Sequence, residues 1–207
     1  MDNQYLKHLI DTLTDKDNLE LIRKEAISFC KNYTTSECYD MALELYQSEF
    51  FQVQKVGVFL CGFIAAEKMD ALSFLKDTVS IHSNWKVQEV LAMAFDSFCK
   101  TNGYEKSVPI MQEWMNSSNA NVRRAVTEGL RIWTNRPYFK DYPEKAIELI
   151  ASLKNDESEY VRKSVGNSLR DISKKHPDLV KTELLGWDIS SRKIMQFYKL
   201  ASKLVVE

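Results

Sequence analysis

The chain has 207 residues, of which 44% are hydrophobic and 28% are charged, a balance that is typical of globular proteins and excludes a disordered or collagen-like chain. Its 28 Lys and Arg are offset by 29 Asp and Glu, which excludes a histone-like basic protein. Only six Gly and four Pro are present, too few for the tight turns of many short strands, so an all-β fold is disfavoured.

Charge is distributed unevenly along the chain. Residues 1–119 contain 11 basic and 17 acidic residues, whereas residues 120–207 contain 17 basic and 12 acidic residues. Two interpretations fit this asymmetry, an ordinary solvated surface and a C-terminal half that faces an anion.

The four cysteines form no CxxC pair and lie in apolar, helix-like patterns, which predicts free core thiols in a reducing compartment. The opening run MDNQYLKHLIDTL contains acidic residues and no continuous apolar stretch, unlike a signal or transit peptide. No segment approaches 18 consecutive apolar residues, the length that a membrane-spanning helix needs. We therefore expect a cytoplasmic protein with no membrane partner. The cysteines are Cys30, Cys38, Cys61 and Cys99.

The predicted elements are amphipathic helices that occur in pairs. Residues 4–32 predict a less regular opening pair, and four regular pairs follow. Their first helices lie in SECYDMALELYQSE, MDALSFLKDTVS, YEKSVPIMQEWMNSS and YPEKAIELIASLKND, and their second helices begin at Phe51, Trp85, Ala120 and Glu159. TELLGWD and SSRKIMQFYKLASKLV predict a closing pair.

The second helices of the regular pairs are similar to one another. Val53, Val87, Val122 and Val161 align, at spacings of 34, 35 and 39 residues, and helix pairs at this period are typical of α-solenoids of the HEAT or armadillo type. We predict an all-α fold, a right-handed α-solenoid of about five HEAT-like helix pairs. It forms one domain over residues 1–207, with an N-terminal cap pair at 1–34, four regular pairs at 35–178 and a C-terminal cap pair at 179–207.

An apolar stripe within the third regular pair has helical periodicity. Val122, Val126, Leu130 and Trp133 follow one another at i, i+4, i+8 and i+11, which places them on one face of a helix and predicts that they are buried. Trp85 precedes such a stripe, and both a core position and a position on the inner surface fit it.

The second helices also present residues away from the apolar stripe. In helical solenoids these helices usually line the inner surface, so such residues form a shared wall. Either Arg and Glu of adjacent repeats pair there as a ladder, or the basic residues bind a polyanion. The wall positions are Lys55, Phe59 and Gly62 in the first repeat, Glu89, Met93 and Asp96 in the second, Arg124, Glu128 and Arg131 in the third, and Lys163, Asn167 and Arg170 in the fourth, with Asp171 beside the last.

Two basic doublets lie near the N-termini of successive second helices. They are Arg123-Arg124 and Arg162-Lys163. Backbone amides and the helix dipole favour anions at this end of a helix, so cations there cost helix stability. This placement points to an anionic partner.

The runs NVRRAVTEGLR and SEYVRKSVGNSLRDISKKHPDLV resemble the paired repeats of the AlkC/AlkD-type DNA alkylation repair proteins, which are HEAT-like DNA glycosylases. Trp85, with Glu89 four residues later, resembles the Trp-xxx-Asp pair of the AlkD-type active site. The resemblance covers roughly residues 50–190. We expect a truncated or divergent branch, because the family's opening helices have no counterpart in residues 1–49 and Asn167 replaces an aromatic residue of AlkD-type enzymes.

The resemblance implies roles for the matching residues. Trp85 would stack near a cationic alkylated purine, and Glu89 would stabilise the positive charge that develops on deoxyribose and position water. Glu128 and Asp171 match acidic positions of the AlkC-type branch and complete the implied catalytic set. Arg124 matches the family's DNA-backbone arginine. With the other basic residues of the wall and doublets, the expected DNA-binding set is Arg123, Arg124, Arg131, Arg162, Lys163 and Arg170.

Other site chemistry is not indicated. His8, His82 and His176 are far apart and lack a Cys at metal-ligand spacing, so we expect no metal site. No phosphate loop, GxSxG or GxGxxG motif occurs, so we expect no cofactor.

The sequence leaves two functions open. The first is a DNA alkylation repair-like protein that contacts duplex DNA with its concave basic surface, with or without excision of N3- or N7-alkylated purines. The alternative is a non-enzymatic HEAT-repeat scaffold for a protein partner. In both cases we expect a monomer.

Overall fold

The computed structural model describes residues 3–205. All regular structure in this range is helical, with no strand, which confirms the predicted all-α fold. The helices are α1 (Asn3–Leu13), α2 (Leu19–Asn32), α3 (Thr35–Tyr46), α4 (Phe51–Ile64), α5 (Met69–Asp77), α6 (Trp85–Asn102), α7 (Val108–Met115), α8 (Ala120–Gly129), α9 (Pro137–Asp141), α10 (Pro143–Ala151), α11 (Glu159–Ser173), α12 (Pro177–Leu185) and α13 (Arg192–Ala201), with 3₁₀ turns at Val79–Ile81, Trp133–Asn135 and Ser202–Leu204.

The predicted helix pairs are present. The first and second helices of the four regular pairs are α3 and α4, α5 and α6, α7 and α8, and α10 and α11. The second helices begin at the residues that the repeat alignment gives. The short helix α9, between α8 and α10, was not predicted and accounts for the longer spacing of the last repeat.

The chain forms two compact units, Met1–Asn102 and Gly103–Glu207, here called unit 1 and unit 2. In unit 1 the central helix is α4, which packs against α2, α3 and α6. Two glycines permit this close packing. A Cβ at Gly57 would lie 2.6 Å from the Ala42 carbonyl oxygen, and one at Gly62 would lie 2.5 Å from Ala94 Cα.

In unit 2 the central helix is α11, which packs against α8, α12 and α13. The predicted stripe Val122, Val126, Leu130 and Trp133 is fully buried, which confirms its core position. Helix α8 nevertheless ends at Gly129, and Trp133 lies in the following 3₁₀ turn. The Trp133 indole Nε1 donates to the Thr127 carbonyl at 3.3 Å, which holds this turn back against α8.

The other tryptophans and the cysteines differ in how deeply they are buried. Trp114 is buried and Trp187 is 5% exposed, whereas Trp85 is 64% exposed, which excludes a core position for Trp85. The four cysteines are free thiols; Cys30 is partly exposed and the other three are buried.

No helix in residues 3–205 is long and apolar enough to cross a membrane.

Candidate nucleic-acid interface

Arg123, the first member of the first doublet, contacts its own unit extensively. Its Nη1 donates to the carbonyls of Ser117 and Ser118 at 2.8 and 3.1 Å, within the turn that precedes α8. Its Nε and Nη2 donate to the two carboxylate oxygens of Asp156 at 2.5 and 2.7 Å. The hydrogen bonds to Asp156 raise the pKa of Arg123, and the Asp156 side chain is 4% exposed. Arg123 thus joins the turn before α8 to the turn before α11.

Arg162, at the equivalent position of the next repeat, makes the same kind of contact. Its Nη1 donates to the carbonyls of Asp156 and Glu157 at 2.5 and 3.0 Å. Its guanidinium lies 5.1 Å from the centre of the Phe197 ring, and the residue is 6% exposed. In both repeats, therefore, the first residue of the doublet fastens the turn that precedes its own helix.

The second members of the doublets are different. Among residues 3–205, the side chains of Arg124 and Lys163 have no hydrogen-bond or ion-pair partner. Arg124 is partly exposed and Lys163 is exposed. The helices that carry them are joined beneath the surface, where Ser164 Oγ donates to Thr127 Oγ1 at 2.7 Å. These two cations are therefore held on adjacent helices with their charges open to solvent.

An ionic cluster follows at the other end of the same helices. Arg131 donates from Nη2 to Asp171 Oδ2 at 2.7 Å and from Nη1 to Glu128 Oε2 at 3.2 Å. Lys174 Nζ donates to Asp171 Oδ1 at 3.2 Å, and Arg170 Nη2 lies 3.8 Å from the same oxygen. The Arg131–Asp171 pair joins adjacent repeats, which is the ladder arrangement that the sequence left as one alternative.

The cluster compensates the charge of Asp171. Burial by itself raises the pKa of Asp171, but the hydrogen bonds and positive charges of Arg131 and Lys174 outweigh it, so the pKa lies below its usual value. The Asp171 side chain is 8% exposed. The structure thus brings together Glu128, Arg131, Arg170 and Asp171 from the predicted sets and adds Lys174. Lys174 lies four residues after Arg170 on the same helical face, a spacing that could have identified it.

We expect the ion pairs of Asp171 to stabilise unit 2 at neutral pH and to lose that effect in acid. Because the folded-state pKa of Asp171 is lowered, its stabilisation is complete above the unfolded value of about 3.9 and is lost as the pH falls through the folded value. The difference in Tm between the wild type and Asp171→Asn should therefore shrink between pH 7 and pH 2. Glu105→Gln serves as control, because Glu105 is exposed, lies outside the helices and has no side-chain partner among the described residues. A Tm difference for Asp171→Asn that stays constant over this range would contradict the expectation.

Two of the predicted catalytic residues, Trp85 and Glu89, lie on an exposed face of α6 in unit 1. With the wall residue Met93 they follow one another at i, i+4 and i+8, and all three are exposed, Trp85 at 64% and Met93 at 38%. Trp85 and Glu89 thus belong to unit 1, and Glu128 and Asp171 belong to unit 2.

The first repeat does not present the expected wall. Lys55, Phe59 and Gly62 are buried, Lys55 with an exposure of 3%. Asp17, in the loop between α1 and α2, covers Lys55, and α6 packs against Gly62. Among residues 3–205, no three His, Cys, Asp or Glu side chains lie together in a way that could hold a metal ion.

A family model described as "DNA alkylation repair enzyme" matches residues 18–183. The chain belongs to the DNA alkylation repair enzyme family. AlkD2 from Streptococcus mutans superposes with a TM-score of 0.94 at 51% identity, over 98% of each chain, so the similarity to AlkD2 extends over nearly the whole chain. The HEAT-like architecture expected from the repeats is therefore confirmed.

Two other similar proteins are matched over less of their own length. The alkylpurine DNA glycosylase AlkC of Pseudomonas fluorescens, solved bound to DNA that contains an abasic site analog, superposes with a TM-score of 0.65 at 23% identity, over 96% of this chain and 55% of AlkC. YhaZ of Bacillus subtilis strain 168 is 39% identical over 87 residues, which are 40% of this chain and 24% of YhaZ. The chain thus matches about a quarter of YhaZ and about half of AlkC.

Proposed function

We propose that this member of the DNA alkylation repair family contacts duplex DNA through the phosphate backbone. The contact is made in unit 2 by a basic surface that consists of Arg124, Lys163, Arg170 and Lys174. The observation that carries the proposal is that the two residues of each doublet make different contacts. Arg123 and Arg162 are used to fasten turns, whereas Arg124 and Lys163 have no partner among the described residues.

The position of the two cations without partners supports an anionic ligand. Arg124 and Lys163 are each the fifth residue of their helices, α8 and α11, so both charges lie near the N-terminal ends of adjacent helices. A phosphate between them would interact favourably with both cationic side chains and with the nearby helix N-termini. Backbone phosphates carry no base identity, so such contacts fix the position of the protein on the duplex without reading sequence.

The relatives support the same ligand. The matching family model is described as "DNA alkylation repair enzyme". AlkC, which shares the fold, was solved in complex with DNA. The sum of charges in residues 120–207, 17 basic against 12 acidic, favours attraction of this half of the chain to a polyanion.

Base excision is the finer part of the proposal. Trp85 and Glu89 are the predicted catalytic residues that remain exposed, whereas the carboxylate of Asp171 is compensated by Arg131 and Lys174. A carboxylate acts on a developing cation through its own uncompensated charge. We therefore assign the charge-stabilising role to Glu89, and to Asp171 a role in holding Arg131.

One experiment tests both parts. Fluorescence anisotropy with a methylated duplex should show binding whose logarithm falls linearly with the logarithm of salt concentration, by about 0.9 for each phosphate contact. Single-turnover incubation of the same complex at micromolar protein then measures released purine. Absence of binding at low salt would reject DNA contact and favour the protein scaffold. Binding without release above the spontaneous rate would retain DNA contact and reject excision.

A further inference from the structure

In unit 1 two lysines form ion pairs with the same carboxylate. We call this group the Asp17 cluster, and its members are Asp17, Phe51, Lys55 and Lys86. Asp17 lies in the loop between α1 and α2, Lys55 on α4 and Lys86 at the start of α6. The Lys55 ammonium is 2.7 Å from Asp17 Oδ1, and the Lys86 ammonium is 3.5 Å from Asp17 Oδ2.

The ring of Phe51 lies beside both ammonium groups. Lys55 Nζ is 5.3 Å and Lys86 Nζ is 4.6 Å from its centre. Contacts of this kind hold a cation in place without neutralising it. Phe51 therefore fixes the position of the Lys86 ammonium and leaves its charge intact.

The side chains of the two lysines differ in their exposure to solvent. The Lys55 side chain is 4% exposed, so its charge needs a close anion, since an uncompensated buried charge is costly. Asp17, at the shorter distance, meets that need. The Lys86 side chain is 36% exposed, and with Asp17 already paired to Lys55 the cluster has one positive charge in excess at Lys86.

We propose that Lys86 is a second phosphate-contacting site, which takes a single phosphodiester of the DNA backbone. This inference rests on the proposed function and places a contact in unit 1, outside the basic surface of unit 2. A phosphodiester carries one negative charge, which matches the one excess positive charge of the Asp17 cluster.

The test compares the salt dependence of duplex binding between two lysine variants of unit 1. Lys86→Gln should reduce the slope of log affinity against log salt by about 0.9, the value of one phosphate contact. Lys31→Gln is the matched control, because Lys31 is exposed at the end of α2 and has no partner among the described residues. It should leave the slope unchanged.

The outcomes separate this inference from the proposed function. A slope that is reduced for Lys86→Gln and unchanged for Lys31→Gln supports the site at Lys86. Wild-type binding with an unchanged slope for Lys86→Gln overturns the site and leaves the proposed function standing. Absence of duplex binding by the wild type overturns both proposals.

Discussion

Replacing Arg123 by alanine should lower the free energy of unfolding by about 3–5 kcal/mol, the range observed when one partner of a buried ion pair is removed. The substitution leaves the Asp156 carboxylate, 4% exposed, without its bidentate partner. It also removes the donor that binds the Ser117 and Ser118 carbonyls. For a chain of this size the expected fall in Tm is about 6–20 °C, measurable by circular dichroism at 222 nm.

The neighbouring residue provides the control. Arg124→Ala removes the same kind of side chain from the next position of α8, but a partly exposed one that has no partner among the described residues. Surface substitutions of this type usually change stability by less than about 0.5 kcal/mol. Equal effects of the two substitutions on Tm would show that the Arg123–Asp156 contact does not stabilise unit 2.

Removing the two cations without partners should weaken duplex binding about 100-fold near 0.1 M salt. Each phosphate contact changes the slope of log affinity against log salt by about 0.9, which near 0.1 M corresponds to roughly tenfold in affinity. The double variant Arg124→Ala/Lys163→Ala should therefore lose about 1.8 in slope and about two decades in affinity. Anisotropy titrations with one duplex at four or more salt concentrations measure both quantities.

A matched pair of lysines tests whether this loss is local. Lys140 and Lys181 are exposed residues of unit 2 that also lack a partner among the described residues. Lys140→Ala/Lys181→Ala removes the same net charge from outside the basic surface, so we expect little change in slope. If both double variants lose the same affinity, binding depends on net charge and the proposed basic surface is wrong.

The repeat architecture could be predicted from the sequence because it depends on local patterns. Each second helix carries its own apolar stripe, and burial of a stripe requires only a neighbouring helix with another stripe. The alignment of Val53, Val87, Val122 and Val161 therefore located the start of every regular second helix. The end of α8 was less predictable, since Trp133 continues the apolar period although the helix stops at Gly129.

The sequence pattern also did not separate the basic residues of the candidate interface from one another. The sequence placed Arg123, Arg124, Arg162 and Lys163 in one basic group, because adjacent residues of like charge look equivalent. On a helix, however, successive side chains point about 100° apart. Arg123 and Arg162 therefore reach back to the preceding turns, while the side chains of Arg124 and Lys163 make no contact with those turns among the described residues.

Long-range contacts decided the remaining positions. Lys55 occupies the same repeat position as Arg124 and Lys163, yet it is buried with Asp17, from a loop 38 residues earlier in the chain. Asp171 was predicted as a catalytic carboxylate, and its ion pair with Arg131 spans 40 residues. The sequence by itself determined the paired helices of the repeat and the family, because these depend on periodicity and local similarity, but it did not give α9 or the end of α8. Only the tertiary structure decided which charges are compensated, because compensation depends on residues that are near in space and distant in sequence.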